Sequence, residues 1–231
     1  METAMQGTPQ PTSPPAAYTP TDRTVPTRSA QRASYDKALV HAILDEGYVC
    51  HLGFVRDGAP VVLPTLYGRV GERLYVHGST GSRPLRMAGQ ADPGLPVCLT
   101  VTHVDGLVLA RSAFHHSINY RSVVVHGIAH QVTDPQEKRT ALDVLVDHVV
   151  PGRAADSRPA NAKELAATAV LRIDLAEVSA KLRTGGVNDE PEDLSLPHWA
   201  GVVPVDRAYG APLADADLAP GTQLPDYLRA L

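Results

Sequence analysis

Short turn signals between apolar runs constrain the fold of this chain more than any other feature of its sequence. Asp57-Gly58 separates two β-like runs, Gly71-Glu72 ends the second of them, and Asp105-Gly106 divides a later apolar stretch. Such pairs favour two-residue hairpin turns, and consecutive strands joined by hairpins are antiparallel. The runs predict a mainly β fold: an antiparallel barrel of six to seven strands with flanking helices packed outside it.

Three or four helices accompany the strands. Asp36 can cap a helix that ends at Gly47, and a short helix is expected over 82–88. Asp134-Pro135 opens the most amphipathic segment of the chain, which keeps one apolar face as far as Val150. A second short helix is expected over 160–167.

Composition divides the chain into three parts. Residues 1–34 are rich in Pro, Thr, Ala, Gln and Ser and contain almost nothing that could be buried, which predicts a disordered or extended N-terminal arm. Residues 35–184 carry the strands and form the predicted barrel domain. Residues 185–231 are rich in Pro and Asp, but the apolar segment around Trp199 predicts a C-terminal extension that packs on the barrel.

Charge and cysteine content exclude several classes of protein. A formal charge of −4 does not suit a protein that holds nucleic acid by bulk positive charge, so no nucleic-acid partner is expected. Two cysteines are too few for a disulfide framework or a four-cysteine zinc site. No stretch reaches the roughly 18 apolar residues of a membrane-spanning helix, and the N-terminus lacks the apolar region of a signal peptide. We therefore expect a cytoplasmic protein without a membrane partner.

The common catalytic signatures are absent, and the segment from Gly78 to Arg83 is the most informative motif. There is no GxSxG, HExxH, paired CxxC or GxGxxG pattern. Gly78-Ser79-Thr80-Gly81-Ser82-Arg83 joins a strand to a helix and combines small residues, hydroxyls and a cation. Backbone N–H groups, hydroxyls and a guanidinium in this order suit a phosphate group, although a plain capped turn explains the same residues equally well.

Two further polar groups are weaker signals. His115 and His116 are adjacent and His126 and His130 are four apart, spacings that do not bring side chains together on a strand, so no metal site is expected. Arg111-Ser112 and Asn119-Tyr120-Arg121-Ser122 flank an irregular stretch between two strands. Their density favours a bound ligand over a solvated edge.

Three motifs, in this order and spacing, resemble the flavin-binding split-barrel family of pyridoxamine 5′-phosphate oxidase, in its flavin-nucleotide-binding and nitroimidazole-resistance branch. They are Val61-Val62-Leu63-Pro64-Thr65-Leu66-Tyr67, then Leu74-Tyr75-Val76-His77-Gly78-Ser79 followed by Ser82-Arg83, then Phe114-His115-His116-Ser117 followed by Asn119-Tyr120-Arg121-Ser122-Val123. The resemblance covers about two thirds of the chain and implies a split barrel that binds flavin mononucleotide (FMN).

The same resemblance implies a homodimer with two FMN molecules at the interface of the subunits. By position, the resemblance implies isoalloxazine contacts at Val62, Leu63, Pro64 and Thr65, and flavin contacts on the next strand at Tyr75, Val76 and His77. It implies phosphate ligands at Ser82 and Arg83, and two further flavin contacts at Ser122 and Lys181. Ser122 replaces the glutamine of the family's Arg-Gln-Val motif, and Lys181 lies near the place of an aromatic contact. Pro84 replaces a phosphate-binding lysine, for which Arg86 is a candidate substitute.

These residues predict a flavin-dependent oxidoreductase that acts on a small molecule. His77 is the candidate catalytic residue, as a hydrogen-bond donor or proton relay near the flavin ring, and Trp199 is expected to close the cofactor entrance. Oxidation of pyridoxamine phosphate is not expected, because no Tyr, Arg and Ser group of the family's kind occurs between Asp134 and Thr168. Two alternatives remain open: a flavin-binding module without turnover, and a split barrel that uses haem or a deazaflavin.

Overall fold

Nine strands and five α-helices run through residues 16–231, the part of the chain that the computed structural model describes. The elements are β1 (Ala33–Ser34), α1 (Lys37–Glu46), β2 (Val49–Arg56), β3 (Ala59–Val70), β4 (Arg73–Ser79), α2 (Arg83–Gln90), β5 (Leu95–Leu109), β6 (Ser117–Gln131), α3 (Pro135–Val149), α4 (Ala162–Ala167), β7 (Thr168–Asp174), β8 (Glu177–Arg183), β9 (Gly201–Pro204) and α5 (Asp226–Arg229). Residues 1–15, the first part of the predicted arm, lie outside the described residues.

The hydrogen-bonded strands form a closed antiparallel ring. Neighbours follow the order β2-β3-β4-β7-β6-β5, and β5 pairs again with β2. β8 adds to β6, while β1 and β9 extend the sheet beyond β8 and β5. Seven of the nine strands lie within residues 35–184. The predicted fold class is therefore confirmed, with two additional strands from the segments on either side.

The first hairpin forms for the reason expected from its sequence. Asp57 and Gly58 both take positive φ, 51° and 78°, which the favoured two-residue turn requires. The expected turn at Asp105-Gly106 is wrong. β5 continues through these residues and pairs with β6 on both sides of a register shift between Val104 and Gly106. The extra residue is absorbed as a bulge, so the two predicted strands of this region are one.

Three helices cover different parts of the ring. α1 buries Val40, Ile43 and Leu44 at one end of β6, and α2 buries Leu85 and Ala88 at the other end. The amphipathic helix α3 packs over β3, β4 and β7, with Ala141 and its neighbours on the side opposite the barrel core. Among residues 16–231, no helix is both long enough and apolar enough to span a membrane.

The described part of the predicted arm, residues 16–34, packs on the barrel. Tyr18 is only 6% exposed, and its hydroxyl donates to Glu72 Oε2 at 2.8 Å. Thr24 is also buried, and Ala33–Ser34 pairs with β8. The expectation that this segment buries almost nothing is therefore wrong, because one tyrosine supplies both an apolar ring and a hydroxyl with a partner.

The C-terminal extension is attached through its backbone and one acidic side chain. β9 pairs with the second half of β5. The Asp189 side chain, 1% exposed, accepts from the Arg111 backbone at 3.0 Å and from its guanidinium at 2.7 Å. Trp199, in contrast, is 66% exposed and lies over Gly201. The predicted docking of Trp199 on its own barrel is wrong, because strand pairing rather than this ring anchors the segment.

Candidate functional site

A cavity opens where β3 and β4 separate. β3 pairs with β4 only over Tyr67–Val70, and its earlier residues pair with β2 instead. β4 pairs with β7 through to Ser79. The two strand edges therefore diverge and leave a cavity of about 170 Å³ between them. Its lining residues are Leu52, Leu63, Pro64, Thr65, Val76, His77, Ser82, Pro84, Leu85 and Leu171.

The cavity combines an apolar floor with free backbone groups. Leu52 and Leu171 belong to the barrel core, and Leu85 reaches the cavity from α2. Along the diverging edges, about every second residue directs its N–H and C=O toward the gap rather than toward a paired strand. A flat ring with an apolar face and a polar edge matches both features.

Cationic and hydroxyl groups surround one end of the cavity, at the start of α2. Ser82 is the N-cap of α2, but its side chain makes no capping hydrogen bond. Arg83 and Arg86 are exposed, and neither guanidinium pairs with another of residues 16–231. These unused donors sit beside the N–H groups of a helix start, which favours an anion. Pro84, the departure from the family pattern, is buried and lines the cavity.

Gly78 allows α2 to approach β4 closely. A Cβ at this position would lie 2.6 Å from Leu85 Cδ1, closer than side-chain contacts allow. At Gly81, in the same turn, the nearest atom to an added Cβ is Ser79 Oγ at 3.6 Å. Gly78 therefore sets the position of α2, whereas Gly81 leaves room for a side chain.

His77 lies at the mouth of the cavity, accessible from solvent. Desolvation by the surrounding protein lowers the pKa of its imidazole below the ordinary value. Its ring nitrogens have no hydrogen-bond partner among residues 16–231. At neutral pH the ring is neutral, with one nitrogen able to donate and the other able to accept.

The structure brings together only some of the predicted site residues. Leu63, Pro64, Thr65, Val76, His77 and Ser82 line the cavity, and Arg83 follows directly. Tyr75 does not: its side chain lies on the opposite face of β4, where its hydroxyl donates to Glu137 Oε1 at 2.9 Å. Tyr75 points away from Val76 and is covered by α3 beside Ala141, whereas exposed His77 reaches the mouth of the cavity at the end of the strand. Leu52, Leu85 and Leu171 were missed, since an apolar residue on the floor of a site gives the same signal as a core residue.

Val62, Ser122 and Lys181 lie away from the cavity on a second surface, the outer face. We define it as the outward-pointing residues of β2, β3, β5, β6 and β8. Ser122 is paired with Lys181 and donates to its carbonyl at 3.1 Å, and Val62 is paired with Gly53. This face is covered by α3 at Gly68, where an added Cβ would lie 3.0 Å from Val144 Cγ1. It exposes Val49, Val62, Leu66, Val104, Leu107 and Ile118.

The polar cluster flanking the irregular stretch before β6 is occupied by internal partners. Arg121 forms a two-pronged contact with Asp105, at 3.0 and 2.8 Å, and a second one with Glu46. The Asn119 amide donates to the Gly185 carbonyl at 3.0 Å, and Arg111 holds Asp189. For Arg111, Asn119 and Arg121 the interpretation as a ligand site is wrong; these three residues attach α1 and the C-terminal extension to the sheet. In residues 16–231, no group of three or more His, Cys, Asp or Glu is placed to hold a metal ion.

Comparisons with known proteins agree with this fold. A family model described as pyridoxamine 5′-phosphate oxidase matches residues 36–182. The flavocytochrome Anf3 from Azotobacter vinelandii is 38% identical over 92% of this chain and 98% of its own, with a TM-score of 0.85. The FAD- and haem-binding protein from Mycobacterium smegmatis is 41% identical over 86% of this chain and 96% of its own, with a TM-score of 0.81.

A more distant structure shares the fold alone. A candidate 5-nitroimidazole antibiotic resistance protein from Bacteroides thetaiotaomicron is 22% identical over 64% of this chain and 85% of its own, with a TM-score of 0.53. Among curated proteins, no match was found.

Proposed function

The chain belongs to the pyridoxamine 5′-phosphate oxidase family, and on this basis we propose that it is a flavin-dependent oxidoreductase with its flavin in the cavity between β3 and β4. The observation that carries the proposal is the gap between two diverging strand edges. It has an apolar floor and ends at Arg83 and Arg86, whose guanidinium groups pair with none of residues 16–231. The relatives described as a flavocytochrome and as an FAD- and haem-binding protein support the same ligand class.

The residues present fit a flavin nucleotide. Leu52 and Leu171 provide an apolar surface for the isoalloxazine, and the free backbone edge at Leu63–Thr65 faces its polar rim. Ser82 and Arg83 hold the phosphate, with Arg86 in place of the lysine that Pro84 replaces. When bound, a flavin supplies hydride and electron transfer, which no side chain of the cavity can supply. His77 holds or donates a proton beside it.

FAD is favoured over the FMN predicted from sequence, because the relative described as binding FAD and haem is 41% identical over 86% of this chain. A cavity of about 170 Å³ is also smaller than the roughly 300 Å³ at which ordinary ligand pockets begin. The nucleotide therefore extends beyond the cavity of one chain.

A second copy of the chain completes the site. The outer face exposes several large apolar side chains, among them Val49, Val62 and Leu66, which a contact with a second chain would cover. It carries Ser122 and Lys181, two predicted flavin contacts that lie away from the cavity of their own chain. In a homodimer formed through this face, each copy presents them to the cavity of its partner. Light scattering tests the dimer, with twice the 24.6 kDa chain mass as the expected result and a flavin-loaded monomer as the contrary one.

Haem is the second proposed cofactor. Two relatives that align far beyond residues 36–182 are described as a flavocytochrome and as an FAD- and haem-binding protein. Haem carries one-electron chemistry, which complements the flavin in oxidising or reducing a small-molecule substrate. Oxidation of pyridoxamine phosphate is not part of the proposal. Between Asp134 and Thr168, where the family binds the phosphate of that substrate, Ser157 and Arg158 are exposed and do not line the cavity.

The visible spectrum of the purified chain tests the proposal. Protein produced with added haem should show flavin absorbance and a Soret band. Acid extraction followed by chromatography should identify the flavin as FAD, and FMN would correct that choice alone. Bleaching of the flavin by a reduced nicotinamide dinucleotide without oxygen would separate an oxidoreductase from a storage module. A colourless protein that takes up neither FAD nor FMN would overturn the assignment.

A further inference from the structure

A second cavity lies between the end of the predicted N-terminal arm and the end of β8. β1 pairs with β8 only at Ala33–Lys181 and Ser34–Ala180, so the two segments separate beyond Lys181. The space between them is an open cavity of about 440 Å³. Its lining residues are Gln31, Arg32, Ala33, Ser34, Leu182, Arg183 and Thr184. None of these residues lines the cavity proposed for flavin.

This second cavity lies at the margin of the sheet, on the side of α1. Leu182, one of its lining residues, packs against the barrel core. Arg183 ends β8, and its guanidinium turns toward Asn119, whose Oδ1 accepts from Nη1 at 2.5 Å. Asn119 and Arg121 share one face of β6, and the Arg121 side chain reaches α1. The cavity is therefore not part of the outer face that a second copy covers in the proposed dimer.

The two arginines of this cavity carry charges that no carboxylate balances. Most arginines of residues 16–231 form ion pairs with Asp or Glu. Arg32 is half-buried, and its guanidinium pairs with none of these residues. Arg183 donates only to neutral acceptors, the Asn119 amide and, at 3.1 Å, the Gly186 carbonyl. Because no Asp or Glu lines the cavity, both guanidinium charges remain uncompensated there.

The lining of the cavity supplies the donors that a phosphate group requires. Guanidinium groups give charge-assisted, forked hydrogen bonds to phosphate oxygens. The hydroxyls of Ser34 and Thr184 and the amide of Gln31 add neutral donors. The Ser34 hydroxyl accepts from the Asp36 N–H at 3.3 Å, which leaves its own proton available. A volume of about 440 Å³ lies within the range of ordinary ligand pockets, roughly 300–1,000 Å³, so the cavity has room for more than the phosphate itself.

We propose that this cavity binds a small molecule through its phosphate group, with Arg32 and Arg183 as the charged ligands. The inference goes beyond the proposed function, because the site is separate from the flavin cavity and does not require a flavin. Arg32 lies before and Arg183 lies after residues 36–182, which the family model matches. The site is therefore built from the two segments that flank the shared barrel.

Isothermal titration of the FAD-loaded protein with inorganic pyrophosphate tests the site. With FAD bound, the donors at the start of α2 are occupied, so the remaining binding reports on the second cavity. Arg32→Gln should bind pyrophosphate at least about tenfold more weakly than the wild type, because it removes one charge-assisted contact. Arg28→Gln is the matched control: it removes an exposed arginine of the same arm that does not line the cavity, and it should bind as the wild type does.

Stability and flavin content show whether the variants are folded. Arg32→Gln should keep the melting temperature and the FAD content of the wild type, because the Arg32 guanidinium has no partner to lose within residues 16–231. Arg183→Lys gives a second test, since it keeps the positive charge and removes the forked donors. It should weaken pyrophosphate binding severalfold while FAD remains bound.

Two results would overturn the site. One is a wild-type protein that binds no pyrophosphate when loaded with FAD. The other is an equal loss of binding in Arg28→Gln and Arg32→Gln, which would show attraction by the net charge of the arm rather than a site.

If the chain takes up no flavin, the proposed function fails, and the titration is made in the Arg83→Ala background instead. Pyrophosphate binding that survives in Arg83→Ala and is lost when Arg32→Gln is added supports the second cavity. Binding that Arg83→Ala alone removes belongs to the start of α2 and overturns it. The two proposals can therefore fail separately.

Discussion

Two clusters of basic and hydroxyl residues look alike in the sequence but differ in the structure. At the start of α2, Arg83 and Arg86 are exposed and the Ser82 side chain makes no cap. Around β6, Arg121 is held by Asp105 and Glu46, and Arg111 is held by Asp189. The first cluster has donors to spare, whereas the second has used its donors to connect distant segments.

The difference shows which observation separates a ligand site from a structural cluster. Charged donors that stabilise the fold have carboxylates or carbonyls within hydrogen-bond distance. Donors kept for a ligand remain unpaired at the edge of a cavity. The density of polar residues in the sequence does not distinguish these cases, because the partners come from far along the chain.

Removing the donors at the start of α2 should have the largest effect on binding. The Ser82→Ala, Arg83→Ala double variant should weaken flavin binding about tenfold to a hundredfold or more, because a charge-assisted contact contributes about 1.5–3 kcal/mol. Its melting temperature without flavin should stay at the wild-type value. Fluorescence titration with FAD measures the first effect. Arg139→Ala, an exposed arginine of α3, is the control; tight binding by the double variant would refute the phosphate assignment.

Removing a donor from the second cluster should have the reverse effect. Arg121→Ala leaves Glu46 and Asp105 without their shared cation, so the free energy of unfolding should fall by about 1–2 kcal/mol and the melting temperature by roughly 2–8 °C. Arg121 holds the pKa of Glu46 below its usual range through its hydrogen bonds, and this shift should disappear in the variant. The affinity for flavin, measured at a temperature where the variant is fully folded, should not change. A loss of flavin without a loss of stability would show that the two clusters are not distinct.

Moving α2 without removing a donor sharpens the comparison. Gly78→Ala places a methyl group against Leu85, whereas Gly81→Ala meets only ordinary contacts. Because Leu85 can shift, we expect a severalfold loss of flavin affinity for Gly78→Ala and none for Gly81→Ala. Isothermal titration of both variants measures this. Equal affinities would mean that the position of α2 does not control the phosphate end.

The smallest expected effect concerns pH. His77 has a pKa below that of the unfolded chain, about 6.5, so the unfolded state binds more protons as the pH falls through this value. The free energy of unfolding should therefore decrease below about pH 6.5, and the decrease should be smaller in His77→Asn. NMR titration of the apo protein should show the imidazole of His77 titrating on the acidic side of 6.5. A value at or above 6.5 would contradict the desolvated environment.

Local sequence signals predicted most of the barrel but only part of its surroundings. The turn predicted at Asp57-Gly58 forms because glycine adopts positive φ without steric cost and aspartate tolerates it. Asp105-Gly106 failed because pairing of β5 with β6 on either side of it outweighs the local preference for a turn. The burial of Tyr18 was not predicted, because its partner Glu72 lies far along the chain and the composition of the segment does not reveal such a contact.

In the candidate site, too, some features were predictable from the sequence and others were not. Motif positions on β3 and β4 located Leu63–Thr65 and His77 at the cavity, since strand order and hairpins place them there. The motif could not tell which of Tyr75 and Val76 faces inward, because that depends on the side covered by α3. The internal partners of Arg121 are equally invisible, since they depend on how α1 and β5 meet.

The pairing of β6 with three strands has a consequence for folding during synthesis. β5 is made before β6, but β7 and β8 follow only at residues 168–183. Until the ribosome releases them, β4 lacks its partner β7 and one edge of β6 stays open. Contacts so distant in the chain slow folding and leave unpaired edges exposed to other chains. A nascent chain truncated before residue 168 should therefore be the form of this protein most dependent on chaperones.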